Sequence, residues 1–151
     1  LEHLEGIITF WPYMAQVDAF QHWIYENPQD SSDPIQCENK WGELWDRFMA
    51  YVDYSGLEDA KKTYWHRQLH IHTSPFYYIE YGIAQLGAIG LWMQYKQNPN
   101  NALENYMNAL SLGGTKTLPE LYKAAGLEFN LTPAYIKTLM EFVKTEMDQL
   151  K

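Results

Sequence analysis

The stretch from Pro75 to Met93 is mostly apolar and about long enough to cross a bilayer, so it restricts the chain to two kinds of fold. Glu80 and Gln85 lie within it and a group of tyrosines stands at one end. Charged groups inside a membrane span are costly and rare, which argues against lipid. A helix apolar on all sides is then the buried centre of a larger helical protein. Gly82, Ala84, Gly87, Ala88 and Gly90 crowd small residues into the same stretch. Glycine costs about 1 kcal/mol against alanine inside a helix, a cost that close packing repays and an exposed surface does not. With Ser74 as N-cap and Pro75 in the first turn, the pattern predicts a long buried central helix over about 75–96.

The remaining segments carry the same grammar. Leu4, Ile7, Ile8, Trp11, Ala15, Ala19 and Trp23 recur at helical spacing and predict a helix from Glu2 to Tyr25, with a kink expected near Ile8 or Thr9 because Pro12 falls inside it. Asn27-Pro28 through Asp33-Pro34 is turn chemistry. Ser32 or Asp33 then caps a second helix, Pro34 sits in its first turn, and Trp41, Leu44, Trp45, Phe48, Tyr51 and Val52 form its stripe up to Ser55-Gly56. Leu57, Ala60, Tyr64 and Leu69 predict a shorter helix ending near His70. A turn at Asn98–Asn101 leads to a helix bearing Ala102, Leu103, Tyr106, Met107 and Leu110, closed by Gly113-Gly114. Thr117 to Glu120 has capping-box spacing and opens a short helix that Gly126 ends. Thr132-Pro133 starts the last helix, with Tyr135, Leu139, Phe142, Val143 and Met147. No stretch alternates in polarity as a strand does, so the expected fold is all-α, a single helical domain over 1–151.

Aromatic residues make up 16% of the chain, enough to fill thick helical interfaces while leaving tyrosine and tryptophan polar atoms for a partner or a wet cleft. The formal net charge of −8 repels phosphate backbones and argues against nucleic acid as a partner. Cys37 is the single cysteine, so neither an internal disulfide nor a cysteine-cluster metal site is open to the chain, and a reducing, cytoplasmic setting is expected. No signal-peptide pattern opens it. Leu1 to Ile8 runs an apolar rhythm without an N-cap, which reads as a chain cut inside or beside a helix, and hence as a fragment.

Residues able to carry chemistry gather between Trp65 and Tyr81. His66 and His70 are four apart, the spacing that sets two imidazoles on one face of a helix, as in zinc peptidases. Arg67, Gln68 and Leu69 lie between them, so the glutamate of an HExxH motif is missing and a cation stands beside the pair. A third ligand is not evident, with Glu80 and His72 the remaining candidates. Tyrosine and histidine also donate hydrogen bonds to a developing oxyanion. Tyr78 and Tyr81 are three apart and Tyr77 and Tyr81 four apart, so either pair can face one cleft, with His70 in the lead-in. On the residues alone, a structural role stands beside this one: tyrosine at helical spacing is commonly core with its hydroxyl satisfied at an edge. Asp18 and Asp53 read as solvated or paired acids, Glu80 has apolar neighbours, and His3 and His22 fit no pattern.

The run His70-Ile71-His72-Thr73-Ser74-Pro75-Phe76-Tyr77-Tyr78-Ile79-Glu80-Tyr81-Gly82 resembles the stretch of oligoendopeptidase F-type enzymes, relatives of thimet oligopeptidase, in which a histidine precedes a Pro-Phe-Tyr-Tyr helix. Glu2–Ile8 and Val17–Tyr25 are similar to further segments of that family. The resemblance implies the C-terminal part of a helical, channel-containing zinc metalloendopeptidase that cleaves short peptides. It implies a zinc held by HExxH and a later glutamate, all upstream of the matched part, so this chain has no zinc ligands and is inactive alone. Carried over by position, His70 and Tyr81 match the residues that stabilise the tetrahedral intermediate, with Tyr78 favoured over Tyr77 for the middle position. Phe76, Tyr77 and His72 would contact substrate. His72 stands where the family pattern has a bulky apolar residue, which leaves either His70 or His72 to face the substrate. The implied partners are short peptides and the rest of the parent peptidase, with neither nucleic acid nor membrane. Two other classes fit the residues: a non-catalytic helical module with an aromatic groove for a peptide or small apolar ligand, and a metalloprotein using His66 and His70.

Overall fold

Caps and prolines set the helix starts. In the computed structural model, which describes residues 1–150, Asp33 accepts a hydrogen bond from the Ile35 N–H at 2.9 Å with Pro34 directly after it. Asn98 and Thr132 act in the same way on the N–H groups of Asn101 and Tyr135, and each again precedes a proline. A proline in the first turn forfeits nothing, because that N–H has no helical acceptor. The elements are α1 (Glu2–Glu26), α2 (Pro34–Phe48), α3 (Glu58–Thr63), α4 (Leu69–Thr73), α5 (Ile79–Gln97), α6 (Pro99–Leu112), α7 (Leu118–Ala124) and α8 (Pro133–Asp148), with short 3-10 turns at Asp30–Ser32 and Tyr64–Arg67. The described residues contain no strand, and the fold is all-α as expected.

Three boundaries differ from the periodicity. The second helix ends at Phe48, not at Ser55-Gly56, and Tyr51 and Val52 are exposed. After it Asp53 ties a turn by accepting from the Ser55 N–H and hydroxyl, and Gly56 takes φ 81°. The expected helix before His70 is divided into α3, a 3-10 turn and α4. The long helix starts at Ile79, because Ser74 ends α4 and Phe76 turns the chain with φ 60°. Pro12 does not interrupt α1, whose helix is continuous to Glu26.

Backbone packing divides the chain into two units, residues 5–82 and residues 1–4 with 83 onward. The core of the first is aromatic. Met14, Val17 and Phe20 lie on one face of α1 and pack with Trp41, Leu44 and Trp45 of α2, Ile71 of α4, and Tyr78. Phe20 meets Trp41 edge-on at 5.1 Å and Trp65 at 5.6 Å. Tyr13 meets Trp41, Trp45, Tyr64 and Tyr78 edge-on at 6.0–6.3 Å. Such pairs contribute about 0.5–1.5 kcal/mol each beyond their buried area. Gln16 and Gln21 are buried in this core, and neither amide atom of Gln21 has a hydrogen-bond partner among the described residues.

The second unit uses the small residues of α5. A Cβ at Gly87 would stand 2.7 Å from the Tyr122 hydroxyl, which donates to the Ile83 carbonyl at 2.6 Å. At Gly90 it would meet Leu127 at 2.9 Å. Ile89, Ala102, Ala125, Leu139 and Val143 are buried here, Trp92 meets Phe142 at 4.8 Å, and Lys96 pairs with Glu146 at 2.8 Å. The small-residue run is thus a docking surface for side chains of later elements. No helix among the described residues is long and apolar enough to cross a membrane.

Phe20→Ala removes a fully buried ring and is expected to lower unfolding free energy by about 3–5 kcal/mol. Gln21→Leu removes an unpaired buried amide and is expected to be neutral or to stabilise by up to about 1 kcal/mol. Urea denaturation followed by tryptophan fluorescence checks both; a large loss in Gln21→Leu overturns the second.

Candidate functional site

The site is assembled from the end of the 3-10 turn, the first turn of α4 and the start of α5. Gln68 precedes α4 with non-helical backbone, at φ −82° and ψ 88°, and His70 is the second residue of that helix. The Gln68 amide stands between two rings: its Oε1 accepts from the Tyr13 hydroxyl at 2.9 Å, and its Nε2 lies 2.9 Å from His70 Nδ1. With the amide nitrogen turned toward it, Nδ1 is the acceptor, and a neutral imidazole then carries its proton on Nε2. That nitrogen is 3.5 Å from the Tyr81 hydroxyl. A chain of polar contacts therefore runs from α1 through Gln68 and His70 to Tyr81.

The Phe76 turn brings the tyrosines to this histidine. Tyr77 lies parallel to the His70 ring at 6.4 Å, Tyr78 packs against it at 4.8 Å, and Tyr81 meets it edge-on at 5.8 Å. Tyr81 touches both Tyr77 and Tyr78, at 5.7 and 5.6 Å. Tyr78 is buried at 7% exposure, whereas Tyr77 and Tyr81 are exposed at 53% and 41%. Burial, reinforced by Tyr81 and Tyr64, pushes the Tyr78 phenol above its ordinary value. Burial does the same at Tyr13, aided by Tyr78 and Tyr64 and opposed by the Arg67 cation. Both hydroxyls keep their protons at neutral pH and remain donors.

Of the residues singled out from sequence, His70, Tyr77, Tyr78 and Tyr81 come together. His72 is exposed and packs on Trp65 at 5.8 Å, and Phe76 packs on His22 and Tyr25 at 4.9 and 5.3 Å. His66 lies in the 3-10 turn and His70 in α4, so the helix that would align them as a ligand pair is broken at Gln68. No group of three or more His, Cys, Asp or Glu among the described residues is placed to hold a metal ion. Glu80 is exposed in the first turn of α5, where a carboxylate suits the helix dipole. Asp18 lies 3.6 Å from His22, with burial raising its carboxyl and His22 opposing that. Asp53 serves the turn at Ser55. The sequence reading missed Gln68 and Tyr13. Gln68 could have been weighed as the polar residue two before His70; nothing local marks Tyr13, 55 residues away from its partner.

The model of peptidase family M3 matches residues 1–141. A solved structure described as PZ peptidase A with inhibitor 2 superposes with a TM-score of 0.87 at 30% identity, covering 98% of this chain. The chain spans 26% of the length of that protein. No curated protein matches the chain.

The raised phenols link stability to alkaline pH. A native state that holds these protons more tightly than the unfolded chain has their contribution in full below the ordinary phenol value of 10.0, and loses it as pH rises through the native values. The denaturation midpoint is expected to fall as pH is raised above 10.0, and to fall less steeply in Tyr13→Phe. Urea titrations on either side of that pH test it, and an identical slope in the variant overturns the assignment to Tyr13.

Proposed function

The chain belongs to peptidase family M3, and on that premise we propose that it forms one wall of the cleft of a zinc-dependent oligopeptidase that hydrolyses short peptides. His70, Tyr78 and Tyr81 donate hydrogen bonds to the substrate carbonyl oxygen as the carbon becomes tetrahedral. The observation that supports this is the convergence of the His70 Nε2 and the Tyr81 hydroxyl, 3.5 Å apart, with Gln68 holding the other ring nitrogen. Donors fixed before the reaction need no reorganisation as charge develops, and this is the source of their effect. Of the two tyrosines assigned as donors, Tyr81 is exposed, and Tyr78 is buried with its ring packed on the imidazole. Tyr77, which stands with His70 and Tyr81, contacts the peptide beside the reacting bond, and Phe76 and His72, packed on other rings, contact it farther away.

Zinc, which the family resemblance implies, finds no set of three ligands among the described residues. Its ligands belong in this reading to the rest of the parent, and the chain alone does not hydrolyse peptides. The solved neighbour is described as a peptidase with an inhibitor, which agrees with a cleft that accepts peptide-like molecules. With Cys37 as its single cysteine, free and buried, the chain relies on no disulfide, and this reading sets the parent in a reducing, cytoplasmic compartment.

Tyr81→Phe in the parent enzyme is expected to lower kcat/KM by about ten- to a thousandfold, the range for loss of one oxyanion donor. Steady-state kinetics on a quenched-fluorescence peptide measure it. A rate near wild type removes Tyr81 from the role.

A further inference from the structure

A cavity of about 520 Å³ opens beside the His70 cluster, lined by Phe10, Tyr13, Tyr64, Arg67, Gln68 and Tyr78 among others. Gln68 and Tyr78 are also the residues that contact His70, so the cavity and the cluster share a wall. Arg67 is the one charged residue among those lining it. Its guanidinium stands 4.8 Å over the Tyr64 ring, and none of the ion pairs among the described residues includes it. In a chain with 19 acidic residues against 11 basic ones, an arginine that faces a cavity without a carboxylate partner is out of keeping with the charge balance. The Tyr64 ring lies under one face of the guanidinium, and an arginine in that position presents its N–H edge to a bidentate acceptor. The charge is felt within the cavity, since it opposes the upward shift of the Tyr13 phenol.

We infer that this cavity is a subsite for a carboxylate of the peptide substrate, read by Arg67, so that the parent prefers peptides carrying an acidic side chain or a free C-terminus at one position near the cleaved bond. The inference rests on the peptidase reading above. The volume lies within the range of small-ligand sites and has room for one side chain. A site built to pair with an anion rejects the neutral isostere, because its own charged donor is then left unsatisfied.

The test uses the parent enzyme and matched peptides. In one series glutamate is compared with glutamine at each position flanking the cleaved bond; in the other a free C-terminal carboxylate is compared with its amide. At one position in one series, the carboxylate peptide is expected to have the higher kcat/KM by about tenfold to a hundredfold, as for a charge-assisted hydrogen bond. The series in which this occurs identifies the source of the carboxylate. Arg67→Gln is expected to bring that ratio to about one and Arg67→Lys to keep part of it. Each ratio is internal to one variant, so a general loss of folding cancels. Cleavage of neutral peptides with no carboxylate preference, or a preference that survives in Arg67→Gln, overturns the subsite and leaves the peptidase reading standing. If the parent cleaves no peptide in either series, the peptidase reading falls, and the subsite with it.

Discussion

The arrangement around His70 depends on a single amide. Gln68 is bonded on one side to the Tyr13 hydroxyl and on the other to His70 Nδ1. It is the link by which a long, well-packed helix orients a side chain on a helix of five residues. α4 is too short to be stable by its own hydrogen bonds, since helix nucleation is unfavourable and few residues follow to repay it. Its geometry is therefore imported. Tyr13 is fixed by four edge-on ring contacts, Gln68 by Tyr13, and the tautomer of His70 by Gln68. Precision at the exposed end of this chain has its origin in the buried end.

The aromatic richness of the chain acquires a reason from this. An aliphatic core would bury as much area, but it would offer no hydroxyl at the edge from which to begin such a relay. Tyrosine combines a ring that packs with a group that orients its neighbour. Tyr13 packs its ring among four others and donates its hydroxyl to Gln68, Tyr78 lines the same cavity, and burial keeps both protonated. Elsewhere the same residue type serves structure only: Tyr122 reaches into the gap left by Gly87 and ties down the Ile83 carbonyl.

Much of this organisation was legible in the residue pattern. Asp33-Pro34 and Thr132-Pro133 mark helix starts because cap and proline act locally, and each stands where expected. The glycines of α5 predicted close approach, and Gly87 and Gly90 have it. The reading failed where two local signals competed. Ser74-Pro75 is a good start signal, but Ser74 is already engaged in ending α4, and the helix waits until Ile79. Apolar spacing from Leu57 to Leu69 suggested one helix, yet the chain breaks at Gln68, whose side chain is needed for tertiary bonds. The histidine and tyrosines of the cluster were visible because they are neighbours in sequence. Tyr13 was not, since only the packing of α1 brings it there.

The turn at Phe76 has a bearing on how this segment can vary. A bulky residue at φ 60° is uncommon, and the ring is held on His22 and Tyr25. Between His70 and Tyr81 the backbone thus passes through a helix end, one left-handed residue and a new helix start, with no slack in the count. Each residue of an α-helix advances the side chain by roughly 100° around the axis. A single insertion or deletion in the turn would carry Tyr81 to another side of α5 while every residue type stayed the same. Among homologous chains, length over this interval should therefore be held as strictly as the identity of His70, Tyr78 and Tyr81: a change of frame within the segment would displace Tyr81 as surely as a substitution would remove it.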